Sequence, residues 1–162
     1  MSRDAETMIS VLAELQQAVA EQPDDAAVFR AAADAADQCI GYKLCTFMLF
    51  DSEAMEVQRL YSTNPAAYPP RGRKKKKDTA WGRQVLENGQ PFIGRGEDDI
   101  RQHFDDHELI ISLGLRSMLN MPVRVGGRTL GTMNLSNVAG FYSEEHVPIA
   151  GLITGLIAVR FH

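Results

Sequence analysis

Three groups of residues in this sequence have the types and spacing that reactive or ligand-binding chemistry requires. Cys39 and Cys45 are its two cysteines. A thiol becomes a nucleophile or redox group as the thiolate, which needs a cationic neighbour, and Lys43 is the one nearby in sequence. No Cys-x-x-Cys spacing occurs, so the pair reads as two reduced thiols in an interior. His103 and His107 are four apart, would share one helix face, and at that spacing can hold zinc. The segment His103-Phe104-Asp105-Asp106-His107 lacks the glutamate after the first histidine that a zinc hydrolase uses. With Asp98, Asp99 and Glu108 around it, it reads as a solvated acidic helix holding no metal. Lys74 to Lys77 follow Arg71 and Arg73 and could attract phosphate or nucleic acid. No aromatic or helical reader accompanies them beyond Tyr68. They read as a mobile solvated loop, the sharper alternative being a lid over an anionic ligand.

The elements that must position these residues follow from hydrophobic period. Met8, Leu12, Leu15 and Val19 form one helical stripe that ends at Pro23. Asp24 and Asp25 start a second helix, carrying Phe29, Ala32, Ala33, Ala36 and Ile40 and stopping at Gly41. The short apolar run from Leu44 to Phe50 reads as a strand buried on both faces, and Val57 to Tyr61 as a second strand. Asn64 to Lys77, with Pro65, Pro69, Pro70 and Gly72, reads as a loop. Asp78 or Thr79 caps a helix with Trp81, Val85 and Leu86, followed by an extended piece at Pro91-Phe92-Ile93. Asp98 to Leu113 contains a further helix anchored by Ile100, Phe104 and Leu109. Strands Ser117 to Val125 and Thr129 to Asn137 flank a Gly126-Gly127 hairpin turn. Ser143 caps a final helix, apolar almost all round from Val147 to Phe161.

Composition limits the class. The chain has 162 residues, 44% apolar and 23% charged, with net charge −4. That suits one domain over residues 1–162 with a real core, and a mildly acidic chain lacks the basic field of a nucleic-acid binder. No apolar run reaches the ~18 residues that span a bilayer, and the start, with Arg3, Asp4 and Glu6, lacks a secretory signal. The expectation is a cytoplasmic protein with no membrane and no nucleic-acid partner.

Several segments resemble the GAF domain family. The run Asp78-Thr79-Ala80-Trp81-Gly82-Arg83-Gln84-Val85-Leu86-Glu87 with Pro91-Phe92-Ile93 is similar to the middle of bacterial GAF domains. So are Leu113-Gly114-Leu115-Arg116-Ser117-Met118-Leu119-Asn120-Met121-Pro122-Val123 and the hairpin from Gly126 to Leu135, the most characteristic piece. Phe141-Tyr142-Ser143-Glu144-Glu145 before the last helix also fits. The resemblance spans about residues 25 to 160. It implies an α+β fold: a six-stranded antiparallel, PAS-related sheet with the terminal helices on one face. There the helix within residues 1–22 would join that within 143–161 in a bundle, while loops and short helices cover the other face. It implies a small-ligand pocket beneath that cover and leaves cofactor and ligand unnamed.

The expected apolar lining combines Phe47, Leu49 and Tyr61 of the first strands with Trp81, Phe92 and Phe104 of the cover. Leu119, Met121 and Met133 of the hairpin complete it. Arg83, Ser117, Asn120 and Asn134 are the candidate polar anchors. Strand alternation forbids both Asn120 and Met121, or both Met133 and Asn134, from facing one pocket. The expected function is a non-catalytic sensory domain that signals through another chain. The alternative is a ligand-free homodimerisation module acting through the terminal helices, where Gly151 and Gly155 lie four apart. A redox enzyme such as a free methionine sulfoxide reductase, which some relatives are, ranks third because both cysteines precede the second strand.

Overall fold

The computed structural model describes residues 4–162. Arg3 of the charged start lies outside them. The first helix, α1 (Ala5–Glu21), begins where Asp4 accepts the backbone N–H of Thr7 at 2.8 Å, and α2 (Asp25–Cys39) begins on Asp24. Both caps satisfy donors that a helix start leaves open. Gly41, at φ +108°, takes the chain out of α2 in a left-handed conformation that suits glycine.

The strands are β1 (Leu44–Asp51), β2 (Glu56–Ser62), β3 (Arg73–Lys75), β4 (Phe92–Gly94), β5 (Ser117–Val125) and β6 (Arg128–Asn137). They form one six-stranded sheet in the order β3-β2-β1-β6-β5-β4, with every pair antiparallel. Gly126 and Gly127 both have positive φ, as the tight β5–β6 turn demands. The resulting α+β architecture is the one expected from the sequence.

One sheet face packs on α1, α2 and the last helix, α5 (Val147–Ile157). Phe29 of α2 stacks on Phe47 at 5.3 Å between ring centroids and meets Phe161 edge-on at 5.5 Å. Each such fully buried side chain contributes about 1.5–3 kcal/mol. Arg160 ties the bundle ends together: it pairs with Asp25 at 3.1 Å and donates to the carbonyl of Val19 at 2.8 Å. No helix among the described residues is long and apolar enough to cross a membrane.

The other face carries the cover. It consists of residues 63–72, a π-helical turn (Gly82–Glu87) and two short helices, α3 (Glu97–His103) and α4 (His107–Ser112). The lysine run is not a free loop, because Arg73–Lys75 pairs with the outer edge of β2, Lys75 opposite Glu56 and Lys74 opposite Val57. Strand alternation then turns Lys74 inward while Lys75 is exposed. The segment from Asp98 to Leu113 is not one helix either. Phe104 adopts an extended conformation (φ −128°, ψ 125°) between α3 and α4, so His103 and His107 belong to different helices and do not share a face.

Two glycines test this packing with opposite signs. A Cβ at Gly131 would lie 2.1 Å from the Met48 carbonyl oxygen of the paired strand, whereas one at Gly155 would meet nothing within 4 Å. Gly131→Ala is therefore expected to destabilise by more than about 3 kcal/mol, and Gly155→Ala to stabilise by about 0.5–1 kcal/mol, both measured by urea unfolding.

Candidate functional site

The covered face is built from alternate residues of the central strands. Thr46 opposes Asn134, Asn134 opposes Asn120, and Asn120 opposes Phe92, so these side chains form one row across β1, β6, β5 and β4. Leu44, Ser136, Met118 and Gly94 form the next row. The same alternation sends Phe47, Leu49, Leu119, Met121 and Met133 to the helical face, where they pack with the bundle. Tyr61 joins them because of an irregularity in the β1–β2 ladder: Phe47 pairs with Tyr61, but Met48 pairs with Arg59, skipping Leu60. A bulge of this kind re-aims side chains, and here it places Tyr61 6.1 Å from Phe47 and Arg59 on the covered face.

Asn120 and Asn134 are buried and bonded to each other. The Asn120 Nδ2 donates to Asn134 Oδ1 at 2.8 Å, and Asn134 Nδ2 donates to Thr132 Oγ1 at 3.1 Å and Thr46 Oγ1 at 3.3 Å. From the cover, Trp81 Nε1 donates to Asn120 Oδ1 at 3.0 Å. Each buried amide is thus satisfied inside the protein, and the indole is held against the sheet by a bond as well as by packing. Trp81 in turn meets Phe104 edge-on at 6.3 Å, and Phe104 meets Phe92 at 6.2 Å.

Between this row and the cover lies a cavity of about 60 Å³. Of the thirteen residues expected around a pocket, Trp81, Phe104, Asn120 and Asn134 line it. Phe92 sits behind it, in the cluster with Trp81, Val85 and Leu86. Ser117 donates to the Val138 carbonyl at 2.6 Å on the helical side, and Arg83 is exposed on the π-helical turn. Neither reaches the cavity.

The expected lining lacked the charged residues and Tyr68, along with Leu44, Met48, Ile110, Leu115 and Met118 of the walls, although the lid alternative had placed the lysine run near a ligand. Arg59, Tyr68, Lys74, Lys76 and Asp106 all line the cavity. Arg59 is only 6% exposed, lies over the Tyr68 ring at 5.1 Å and donates from Nη1 to the Pro69 carbonyl at 2.8 Å. Its Nε is buried with no partner among the described residues, and the Tyr68 hydroxyl is buried within the influence of the Asp106 carboxylate. Lys74 pairs with Asp106 at 3.0 Å and so joins β3 to the segment between α3 and α4. Lys76 places Nζ 4.9 Å from the Trp81 ring and 5.6 Å from that of Phe104, within cation–π range. Burial pulls the Arg59 and Lys76 cations below their ordinary pKa values, and Lys74 adds to the effect at Lys76. Burial pushes the Tyr68 phenol up, with Asp106 next in effect. One signal was available in the sequence: an arginine in mid-strand at position 59, two residues from Val57 and Tyr61. The ladder irregularity that turns it under the cover was not.

The backbone locks the lysine segment to the Trp81 turn. Thr79 Oγ1 donates to the Lys76 carbonyl and accepts from Gly82 N–H, both at 2.9 Å. A Cβ on Gly82 would stand 2.4 Å from that carbonyl oxygen, so the close approach needs glycine there. Thr79, rather than Asp78, provides the cap.

The thiols are elsewhere. Cys45 is fully buried on the helical face, and burial pushes its pKa up, with Asp37 adding to the effect. Cys39 is buried near the end of α2. Among the described residues, no three His, Cys, Asp or Glu side chains are placed to hold one metal ion.

The network predicts a specific energetic cost. Asn120→Ala removes the acceptor of the Trp81 indole and the donor to Asn134, leaving both partners unsatisfied. The expected loss is about 2–4 kcal/mol by chemical denaturation, well above the ±0.5 kcal/mol of an ordinary surface change.

This architecture has many known counterparts. The structure of a free methionine-R-sulfoxide reductase from Neisseria meningitidis in complex with its substrate superposes with TM-score 0.76 at 20% identity, covering 99% of this chain and 92% of that one. The GAF domain of a phosphoenolpyruvate-protein phosphotransferase from Coxiella burnetii gives 0.78 at 15%, covering 98% and 94%. The GAF domain of a two-component sensor histidine kinase from Bacillus halodurans gives 0.67 at 15%, covering 82% and 90%. At these identities the likeness is one of fold. No curated protein sequence matches the chain. The GAF domain family profile matches residues 22–162, and the chain belongs to that family.

Proposed function

We propose that this chain is a non-catalytic sensory or regulatory domain that binds a small molecule in the cavity beneath its cover and passes the signal to another chain. The observation that carries this reading is the chemistry of the cavity. Trp81, Phe104 and Met118 supply apolar walls, and Tyr68, Lys76 and Arg59, whose Nε has no partner among the described residues, supply the polar groups. Mostly apolar walls with a few convergent polar groups are what small-ligand sites share. A ligand that bound one arrangement of the cover better than another would shift their populations. The Lys74–Asp106 pair and the Thr79 bonds are the contacts through which the cover would respond.

The enzyme reading is weaker. A thiol reductase needs its thiol beside the substrate and poised as thiolate, but Cys45 lies across the sheet from the cavity with its pKa raised by burial. The dimerisation reading has one observation in its favour. An open apolar groove runs between α1 and α5, lined by Ile9, Leu12, Ala13, Leu152, Gly155 and Leu156, with Ile9 66% and Leu152 56% exposed. A second copy of this chain seated there would give the signal a route out through the helices.

A thermal-shift screen of the purified protein against metabolites, nucleotides and metals separates the readings. Sensing predicts a reproducible rise from one compound class, since binding to the native state stabilises it by mass action, and loss of that rise in Trp81→Phe. A silent panel combined with a melting temperature that climbs with protein concentration would instead favour the dimerisation module. In either case Cys45→Ala should leave the response unchanged; turnover of a compound that disappears in Cys45→Ala would establish the enzyme.

A further inference from the structure

The cavity is lined by three cationic side chains, Arg59, Lys74 and Lys76, and by one carboxylate, Asp106. Lys74 already holds that carboxylate at 3.0 Å. No other ion pair forms at Arg59 or Lys76 among the described residues; their contacts are the rings of Tyr68, Trp81 and Phe104 and the Pro69 carbonyl. Among the lining residues cations outnumber carboxylates, and although Asp106 acts on both Arg59 and Lys76 and Asp105 on Lys76, burial still pulls both cations below their ordinary pKa values, an arrangement that an added anion would relieve. Arg59 lies over the Tyr68 ring at 5.1 Å, and its Nε has no partner among the described residues. A guanidinium presents its donors as a planar fork that fits a carboxylate, and a phenol whose proton is firmly held can donate a further bond. The remaining walls, including Met118, Ile110 and Leu115, are apolar. The volume of about 60 Å³ is far below the roughly 300–1,000 Å³ of a drug-sized pocket.

We propose that the ligand of this cavity is a small organic carboxylate. Its charged end sits between Arg59, Lys76 and the Tyr68 hydroxyl, and its short apolar body lies against Met118, Ile110 and Trp81. This identifies the chemical class of the ligand and rests on the sensing reading above. Inorganic phosphate would meet the cations but leave the apolar end unfilled, and a neutral compound would leave Arg59 and Lys76 without an anion of their own.

The test is calorimetric titration and thermal shift of the full chain with acetate, propionate and isovalerate, beside isovaleramide and inorganic phosphate, each up to about 10 mM. Isovalerate is expected to bind and raise the melting temperature, with isovaleramide and phosphate at least about tenfold weaker. Lys76→Met keeps an unbranched side chain over Trp81, and Lys76→Gln serves if that variant does not fold. Either should weaken isovalerate at least about tenfold, while Lys77→Met, an exposed neighbour, should change nothing. Equal affinity for isovaleramide, equal affinity for phosphate, or an unchanged affinity in the Lys76 variant overturns the proposal. A neutral compound stabilising the protein where no carboxylate does overturns it too but leaves the sensing reading standing; no response to any compound class overturns both.

Discussion

The hydrogen-bonded row from the Trp81 indole through Asn120 and Asn134 to Thr46 and Thr132 is the constraint on which the covered half of this molecule depends. Amides buried under an apolar cover are tolerable only when fully paired. Antiparallel register supplies the pairing, because it sets Thr46, Asn134 and Asn120 directly across from one another. The indole N–H closes the row from the cover side, so the cover has one preferred seat. The cavity exists because the cover is held at Trp81 by this bond and at β3 by strand pairing, with space remaining between.

The two faces of the sheet consequently have different chemistry. The helical face is aliphatic and aromatic, closed by Phe29, Phe47, Tyr61 and Phe161, and it encloses the Cys45 thiol, whose pKa burial pushes up. The covered face gathers polar and cationic groups around a space. The ladder irregularity at Arg59 is what separates the two sets: without it, alternation would carry Arg59 and Tyr61 to the same side. The thiols lie on the helical face and the cavity on the other, so the sheet itself separates Cys45 from Trp81, Asn120 and Arg59.

Much of the architecture was legible in the sequence because it rests on local signals. The helical stripe of Met8, Leu12, Leu15 and Val19, the Gly126-Gly127 turn and the apolar run from Leu44 all lie where period and turn chemistry place them. The site was legible in part. Trp81, Phe104, Asn120 and Asn134 reach the cavity, but Phe47, Leu119 and Met133 lie on the opposite face, since apolar character does not tell which side of a doubly covered strand a residue takes. The cations were missed for a different reason. Four consecutive lysines imply repulsion and solvation, yet pairing with β2 fixes alternate directions, with Lys75 facing out and Lys74 facing Asp106. Phe104 broke an apparently continuous helix because its ring is shared by Trp81 and Phe92, a tertiary demand that outweighs helical propensity.

Trp81 is the only tryptophan in the chain, so its indole N–H gives a single side-chain resonance at the seat of the cover. Its hydrogen exchange and chemical shift are the most direct measurement. Slow exchange with solvent is expected, because the group is buried and bonded to Asn120, together with a shift on addition of any compound that raises the melting temperature. An indole N–H that exchanges freely, and that stays in place while such a compound binds, would contradict both the seating of the cover and the cavity as the site of binding.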